Sequence, residues 1–250
     1  MRIEDGRYFL SNRLWDEHGE FVPDQKKGVE RPPFEKGFSE DANLINLPDP
    51  HEVELKKSNF FKIIEERRSR RKFTDESISL NELSYLLWIT QGVQKVIKNY
   101  VTLRTVPSAG ARHPFETYIH PRKVSDLDNG IYRYLPVEHK LVEEQKGDFT
   151  DKIIDGANGQ RFVGECAVTF IWTVLPYRTE WRYDVLSHKM IAMDAGHLMQ
   201  NLYLGCESLG LGTCAIGAYS GKRMDNAVNV DGKDEFVIYM APVGHLKRKV

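Results

Sequence analysis

Apolar residues recur at helical spacing in two stretches and fill several short β-branched runs, and these fix the first outline of the chain. Leu83, Leu86, Leu87 and Thr90 stand at i, i+3, i+4 and i+7, which is one face of a helix. Ser79-x-x-Glu82 just before them is a capping box, so a clean start at Ser79 is predicted, with Gly92 ending the helix. The longest helix is predicted over 187–209. Ile191, Ala195, Leu198, Leu202, Cys206 and Leu209 form one stripe, and Met190, Met193, Met199 and Tyr203 add a second. A helix apolar on two sides is buried on two sides, which in a chain of this size points to a subunit interface. Gly210 supplies the stop. Shorter helices are predicted over 58–67 and 148–155.

Strands are predicted at 115–120, 130–135 and 140–144 from their alternating or β-branched character. Residues 166–174 are continuously apolar and should be buried on both faces. A further strand is expected over 236–243, and 93–103 reads as a connection. Strands and helices do not alternate strictly, which favours an α+β fold with a mixed or antiparallel sheet flanked by helices. Residues 1–57 differ in character. Pro23, Pro32, Pro33, Pro48 and Pro50 punctuate them and no long periodic pattern survives. Scattered apolar residues such as Tyr8, Trp15, Phe21, Phe34 and Phe38 suggest an extended arm that packs on the body (58–250) or reaches a second subunit.

Composition changes this picture little. The net charge of −1 removes the general basic bias a nucleic-acid binder would show. Three cysteines, Cys166, Cys206 and Cys214, with no Cys-x-x-Cys, indicate neither a disulfide framework nor a zinc ribbon. The eight histidines include no His-x-x-x-His pair, so no metal is expected. The first residues lack the apolar core of a secretory signal, and no run approaches the roughly 20 apolar residues of a membrane helix. A cytoplasmic protein without membrane or nucleic-acid partners is the expectation.

Against this neutral background, Arg67-Arg68-Ser69-Arg70-Arg71-Lys72-Phe73 stands out. A guanidinium is never neutral in a protein, so these residues form either a solvated face or an anion site, and the arginine donor fork suits phosphate. Gly210-Leu-Gly212-Thr-Cys-Ala215 matches the dinucleotide fingerprint formally, but a helix precedes it and a strand-like segment follows, the reverse of what pyrophosphate binding needs. Pro107-Ser108-Ala109-Gly110 is a small-residue loop that a ligand can approach closely.

Taken together, these residues resemble the nitroreductase superfamily of FMN-dependent oxidoreductases. Its Arg-Arg-Ser-x-Arg-x-Phe signature is met by residues 67–73, and the likeness to the SagB-type dehydrogenase branch runs from about residue 45 onward. It includes Arg104 to Gly110, Gly130 to Tyr134, Asp194 to Leu202 and Gly210-Leu211-Gly212. The resemblance implies an intertwined homodimer with two FMN sites at the interface. Carried over by position, Arg67, Arg68, Ser69 and Arg71 would hold the FMN phosphate and ribityl chain, and Arg70 would not. Pro107, Ser108, Ala109 and Gly110 would line the isoalloxazine, from the other subunit. Ala215, Ile216 and Gly217 would bring a backbone N–H to flavin N5, and Lys247 or Arg248 would add a second charge at the phosphate. Hydride would move through N5. The substrate would be a nitroaromatic or quinone with NAD(P)H as a candidate donor, or an azoline ring in a modified peptide. Azoline oxidation needs a base. Tyr183 is the candidate, with Arg182 beside it to favour the phenolate; some azoline oxidases carry Lys-Tyr here, whereas this chain carries Arg-Tyr. The alternative is a flavin-binding subunit or scaffold of a peptide-maturation complex that does not turn over.

Overall fold

The computed structural model describes residues 2–17, 19, 21–98 and 101–247. Its centre is a seven-stranded sheet in the order β1-β6-β5-β4-β7-β9-β8. The strands are β1 (Leu44–Asn46), β4 (Phe115–Pro121), β5 (Gly130–Leu135), β6 (Lys140–Lys146), β7 (Val168–Val174), β8 (Leu211–Thr213) and β9 (Phe236–His245), while β2 (Val93–Ile97) and β3 (Val101–Arg104) form a separate hairpin. Among the described residues every strand ladder is antiparallel. Helices cover both faces of the sheet, so the α+β expectation holds.

The helices are α1 (Ile3–Ser11), α2 (Leu14–Glu17), α3 (Phe60–Glu66), α4 (Leu80–Gln91), α5 (Thr150–Gly156), α6 (Tyr177–Tyr183), α7 (Ser187–Ser208) and α8 (Gly221–Val228). α4 begins at the predicted capping box: Ser79 Oγ accepts from Glu82 N–H and the Glu82 carboxylate accepts from Ser79 N–H. Its Leu83, Leu86 and Leu87 pack with Ile191, Leu198 and Leu202 of α7 against Val168, Phe170 and Trp172 of β7. On the opposite face Ile153 of α5 and Met224 and Val228 of α8 pack on Ile171. β7 is therefore buried on both sides, as its unbroken apolar run requires.

Several elements depart from the pattern the sequence predicts. Residues 93–103 are not a bare connection but most of the β2–β3 hairpin. α6, α8 and β8 are additions to the predicted set; each is short, and tertiary contacts rather than periodicity set them. The two stripes of α7 fare differently. The first is buried, but the second splits: Met199 lies in the core, Met190 and Tyr203 are half-buried, and Met193 is 51% exposed.

The N-terminal segment contains α1, α2 and a genuine sheet strand, β1, and beyond α2 it wraps over its own body. Trp181 Nε1–H donates to Val29 O at 2.9 Å, and Gln25 N–H donates to Trp181 O at 2.8 Å. Arg133 donates to the carbonyls of Lys36 and Gly37, both at 2.8 Å, and Lys36 Nζ meets the Glu235 carboxylate at 2.6 Å. Beneath this strap lies a buried charge cluster. Glu116 is 2% exposed, with Arg178 Nη2 at 2.5 Å and Arg133 Nη1 at 3.7 Å. Burial raises the Glu116 carboxyl, but the two guanidiniums outweigh it and hold the group below its ordinary value.

Glu35, on the same strap, behaves oppositely. Burial pushes it up to about 7; the hydrogen bond from Val137 N–H pulls it back, and the nearby carboxylates of Glu138 and Glu116 add to the rise. An acid raised by folding stabilises the folded state fully below its ordinary value of 4.5 and loses that contribution as pH climbs through about 7. Glu35→Gln keeps an acceptor for Val137. It should flatten the fall in stability between those two values and raise the urea midpoint at pH 8 above the parent; an unchanged pH profile would contradict this.

Candidate functional site

The cationic stretch is fixed by backbone, not by acid partners. Ser69 forms a parallel bridge with Thr213, and Arg70 N–H donates to Thr213 O at 2.8 Å. Phe73 bridges Leu246, Thr74 N–H donates to His245 O at 2.9 Å, and Lys247 N–H reaches Lys72 O at 3.2 Å. Phe73 anchors the segment at 1% exposure. The residues that follow α3 thus become an added edge beside β8 and the end of β9. This explains the Gly-Leu-Gly run without a dinucleotide: a Cβ on Gly212 would sit 2.2 Å from Leu246 Cδ2 and 2.8 Å from Arg70 Cβ. β8 follows α7 here, the order that argued against a Rossmann site.

Tyr203, half-buried on α7, ties this edge together. Its ring lies under the Arg67 guanidinium at 5.1 Å, its hydroxyl is 2.8 Å from Ser69 Oγ, and it accepts Ala215 N–H at 2.9 Å. Arg67, Ser69 and Ala215 are therefore brought to one spot. Arg68 is not. Its Nη1 donates to the carbonyls of Glu65 and Arg67, and it faces, with Arg70, a cleft whose wall includes Lys57, Glu65, Glu66 and Glu207. Lys57 bridges Glu66 and Glu207 there, which leaves that wall short of positive charge for Arg68 and Arg70 to balance. Among the described residues no acidic side chain pairs with Arg67 or Arg71, and Arg71 is exposed. Lys247 is exposed beside Lys72; Arg248 lies outside the described residues.

The three amides expected to face a ring edge are narrowed to one. Ala215 N–H is used by Tyr203, and Ile216 N–H donates to Met240 O at 2.8 Å while the Ile216 side chain is buried in the core. Gly217 is exposed, its N–H makes no hydrogen bond within the described residues, and a Cβ there would meet nothing within 4 Å. It is the amide free to face a ligand.

The other expected residues gather elsewhere. A Cβ on Gly110 would lie 2.6 Å from the Tyr183 hydroxyl and 3.0 Å from Arg182 Nε, so the Pro107–Gly110 loop and the C-terminal end of α6 meet. Arg182 lies over the Tyr183 ring at 5.5 Å. Asp194 of α7, 5% exposed, holds the loop: its Oδ2 accepts Ser108 Oγ–H at 2.7 Å and Ala109 N–H at 3.0 Å. Burial pushes the Asp194 carboxyl up, against the pull of these two bonds and of His197. His113, at the loop's far end, is pushed down to about 2 by burial and by the Arg104 and Arg112 charges, and so is neutral.

Asp194 and Tyr203 are nine residues apart on one helix, about 13 Å along its axis and half a turn around it. The two groups of expected residues therefore lie on opposite sides of α7 in one chain. The α7 face that carries Ala192, Met193, Gly196, His197 and Gln200 is exposed, as are Phe60, Phe61 and Ile64 of α3. A cleft of about 760 Å³ beside α6 is walled by Glu35, Glu180 and Asp234 as well as Lys36, Arg178 and Lys233. Its mixed charge gives it no preference for an anion. Sequence reasoning misses Tyr203 as a functional residue, because it counts as apolar stripe. It also misses Asp194, although a carboxylate among Ile191, Ala195 and Leu198 is a signal of a buried hydrogen-bonding duty.

Comparison with known proteins places these features. The sequence matches the model of the Nitroreductase family over residues 64–245. A candidate nitroreductase of Methanocaldococcus jannaschii is 30% identical over 204 residues, 82% of this chain and 97% of that protein. The trifolitoxin-processing protein TfxB of Rhizobium leguminosarum bv. trifolii is 27% identical over 143 residues, 54% of this chain and 38% of that one. A crystal structure of a candidate nitroreductase from Ralstonia eutropha superposes with a TM-score of 0.69 at 24% identity, covering 92% of this chain and 97% of that one.

Proposed function

The chain belongs to the nitroreductase family, and we propose that it is an FMN-dependent oxidoreductase working as a homodimer with two composite sites. Family membership supports an oxidoreductase. The observation that carries the finer reading is that Arg67 and Arg71 have no acid partner among the described residues, with Arg67 stacked on Tyr203, Ser69 at its hydroxyl and the Gly217 amide unused. A surface cation normally finds a carboxylate or water. A cluster stitched in place by backbone and left positive suits a phosphate dianion, with each charge-assisted bond contributing about 1.5–3 kcal/mol. The residues present fit FMN: Arg67, Ser69 and Arg71 for its phosphate and ribityl chain, Gly217 for the ring edge, Lys247 as an added charge. The orientation of Arg68 toward its own helix end argues for a lesser role.

Placement supports the homodimer. One chain sets the Pro107–Gly110 loop and the Arg67 group on opposite sides of α7, so a single ring system touching both draws them from two copies. Small residues at Ala192 and Gly196 let a second helix approach the exposed α7 face closely, and Met193, Phe60 and Phe61 give it apolar surface to bury.

When bound, FMN supplies a two-electron hydride acceptor and donor at N5. The chain's own part is to hold the phosphate, to offer Gly217 N–H, to keep small residues at the ring face and to move a proton at the Tyr183 hydroxyl. Arg182 sets a guanidinium over the Tyr183 ring at 5.5 Å. The likeness to a trifolitoxin-processing protein favours a modified peptide as substrate over a free nitroaromatic, with NAD(P)H the donor in the latter case.

Replacing both Arg67 and Arg71 by alanine should give a folded, colourless protein whose FMN affinity falls at least ~100-fold; flavin retained at full stoichiometry in the double variant contradicts the phosphate assignment. Tyr183→Phe should keep its flavin while turnover of a nitroaromatic or azoline peptide slows by about 100-fold, and parent-like turnover removes Tyr183 from the chemistry.

A further inference from the structure

The loop that meets Tyr183 is strained, and something must hold it. Gly110, Ala111 and His113 have φ of +58°, +50° and +46°. Two of these are non-glycine residues in a region that costs on the order of 1 kcal/mol or more apiece. Such a conformation persists only where its surroundings over-determine it. Here the hydrogen bonds converge on one carboxylate. Asp194 Oδ2 accepts from both Ser108 Oγ and Ala109 N. Ser108 Oγ in turn accepts His113 N–H at 3.0 Å, closing the loop on itself. Arg112 Nε–H donates to Gly110 O at 3.0 Å, and the Arg112 guanidinium stacks on Trp181 of α6 at 5.4 Å. Pro107 and Gly110 are left exposed, the first at the entrance and the second against Tyr183.

We propose that Asp194 is a positioning residue, whose carboxylate holds Ser108 and Ala109 so that Gly110 stays against Tyr183 while the backbone keeps its strained form at Ala111 and His113. It follows that the Ser108 hydroxyl is an internal strut and not a cofactor ligand. Its single proton goes to Asp194 and one lone pair goes to His113 N–H. What the loop offers a ring is its backbone and the Pro107 face. The idea that this ring is flavin rests on the reading above; the strut itself does not.

The two can be told apart by hydrogen exchange on the parent, Asp194→Ala and Asp194→Asn, with no added cofactor, followed by flavin content and turnover. In Asp194→Ala the amides of residues 109–113 should exchange at least about tenfold faster, since a buried donor has lost its acceptor, while those of α4 and β7 keep the parent rates. Asp194→Asn retains one oxygen that can accept both donors and should restore slow exchange. In the flavin-loaded proteins the alanine variant should keep its flavin, whose phosphate is held at Arg67 and Arg71, and lose about 100-fold in kcat, the scale of a misplaced reacting group. Unchanged exchange at 109–113 in Asp194→Ala, or an asparagine variant as loose as the alanine one, overturns the proposal. Should Asp194→Ala fail to fold, Ser108→Ala removes the same strut from the loop side and must loosen the same amides. A parent that binds no flavin yet shows this exchange pattern sinks the flavin reading and leaves the strut standing.

Discussion

Arginine cannot shed its charge, and five cations within six residues repel one another and every neighbouring cation. The chain holds them together without neutralising them all. Backbone hydrogen bonds from Arg70, Thr74 and Lys247 and the buried ring of Phe73 fasten the segment to β8 and β9, while Arg68 and Arg70 turn toward a wall shared with Glu65 and Glu66. What remains are Arg67, stacked on Tyr203, and the exposed Arg71, neither with an acid partner among the described residues. A phosphate is the proposed occupant of that imbalance, and Gly212 is required where the added edge approaches too closely for a side chain.

α7 organises the rest. It carries Tyr203 toward the cationic edge and Asp194 toward the Ser108 loop, half a turn apart. Its buried stripe seals the core against α4 and β7, and its remaining face stays open with small and apolar residues. The geometry of one helix thus sets the core, puts the Tyr203 and Asp194 groups on opposite sides, and leaves an exposed face that suits the proposed second copy. The N-terminal strap is a separate device. It covers the Glu116, Arg133 and Arg178 cluster and packs along α6, the helix that ends in Tyr183.

Local rules of sequence account for much of this fold. The capping box at Ser79, the strand at 130–135, the doubly buried run ending at Val174 and the long helix stopped by Gly210 all appear where those rules put them. The hairpin at 93–104 escapes them because its exposed Val96, Ile97 and Leu103 present no core-facing alternation. The short elements α6, α8 and β8 depend on partners distant in sequence. The site residues divide the same way. Arg67 and Ser69 are legible as candidates because chemistry restricts what such a cluster can do. Tyr203 and Asp194 are not, since a tyrosine and an aspartate on a helix acquire their duties from what the fold brings against them. That Ala215 and Ile216 spend their amides inside the chain is likewise a fact of pairing, invisible to spacing.

The central claim is that the unpaired arginines grip a phosphate. Titrating the cofactor-free protein with FMN and with riboflavin, which differ only in that group, tests it most directly. Binding of riboflavin weaker by about 100-fold or more, with the gap shrinking as salt rises, is the predicted result. Equal affinity for the two, at any salt concentration, would contradict it.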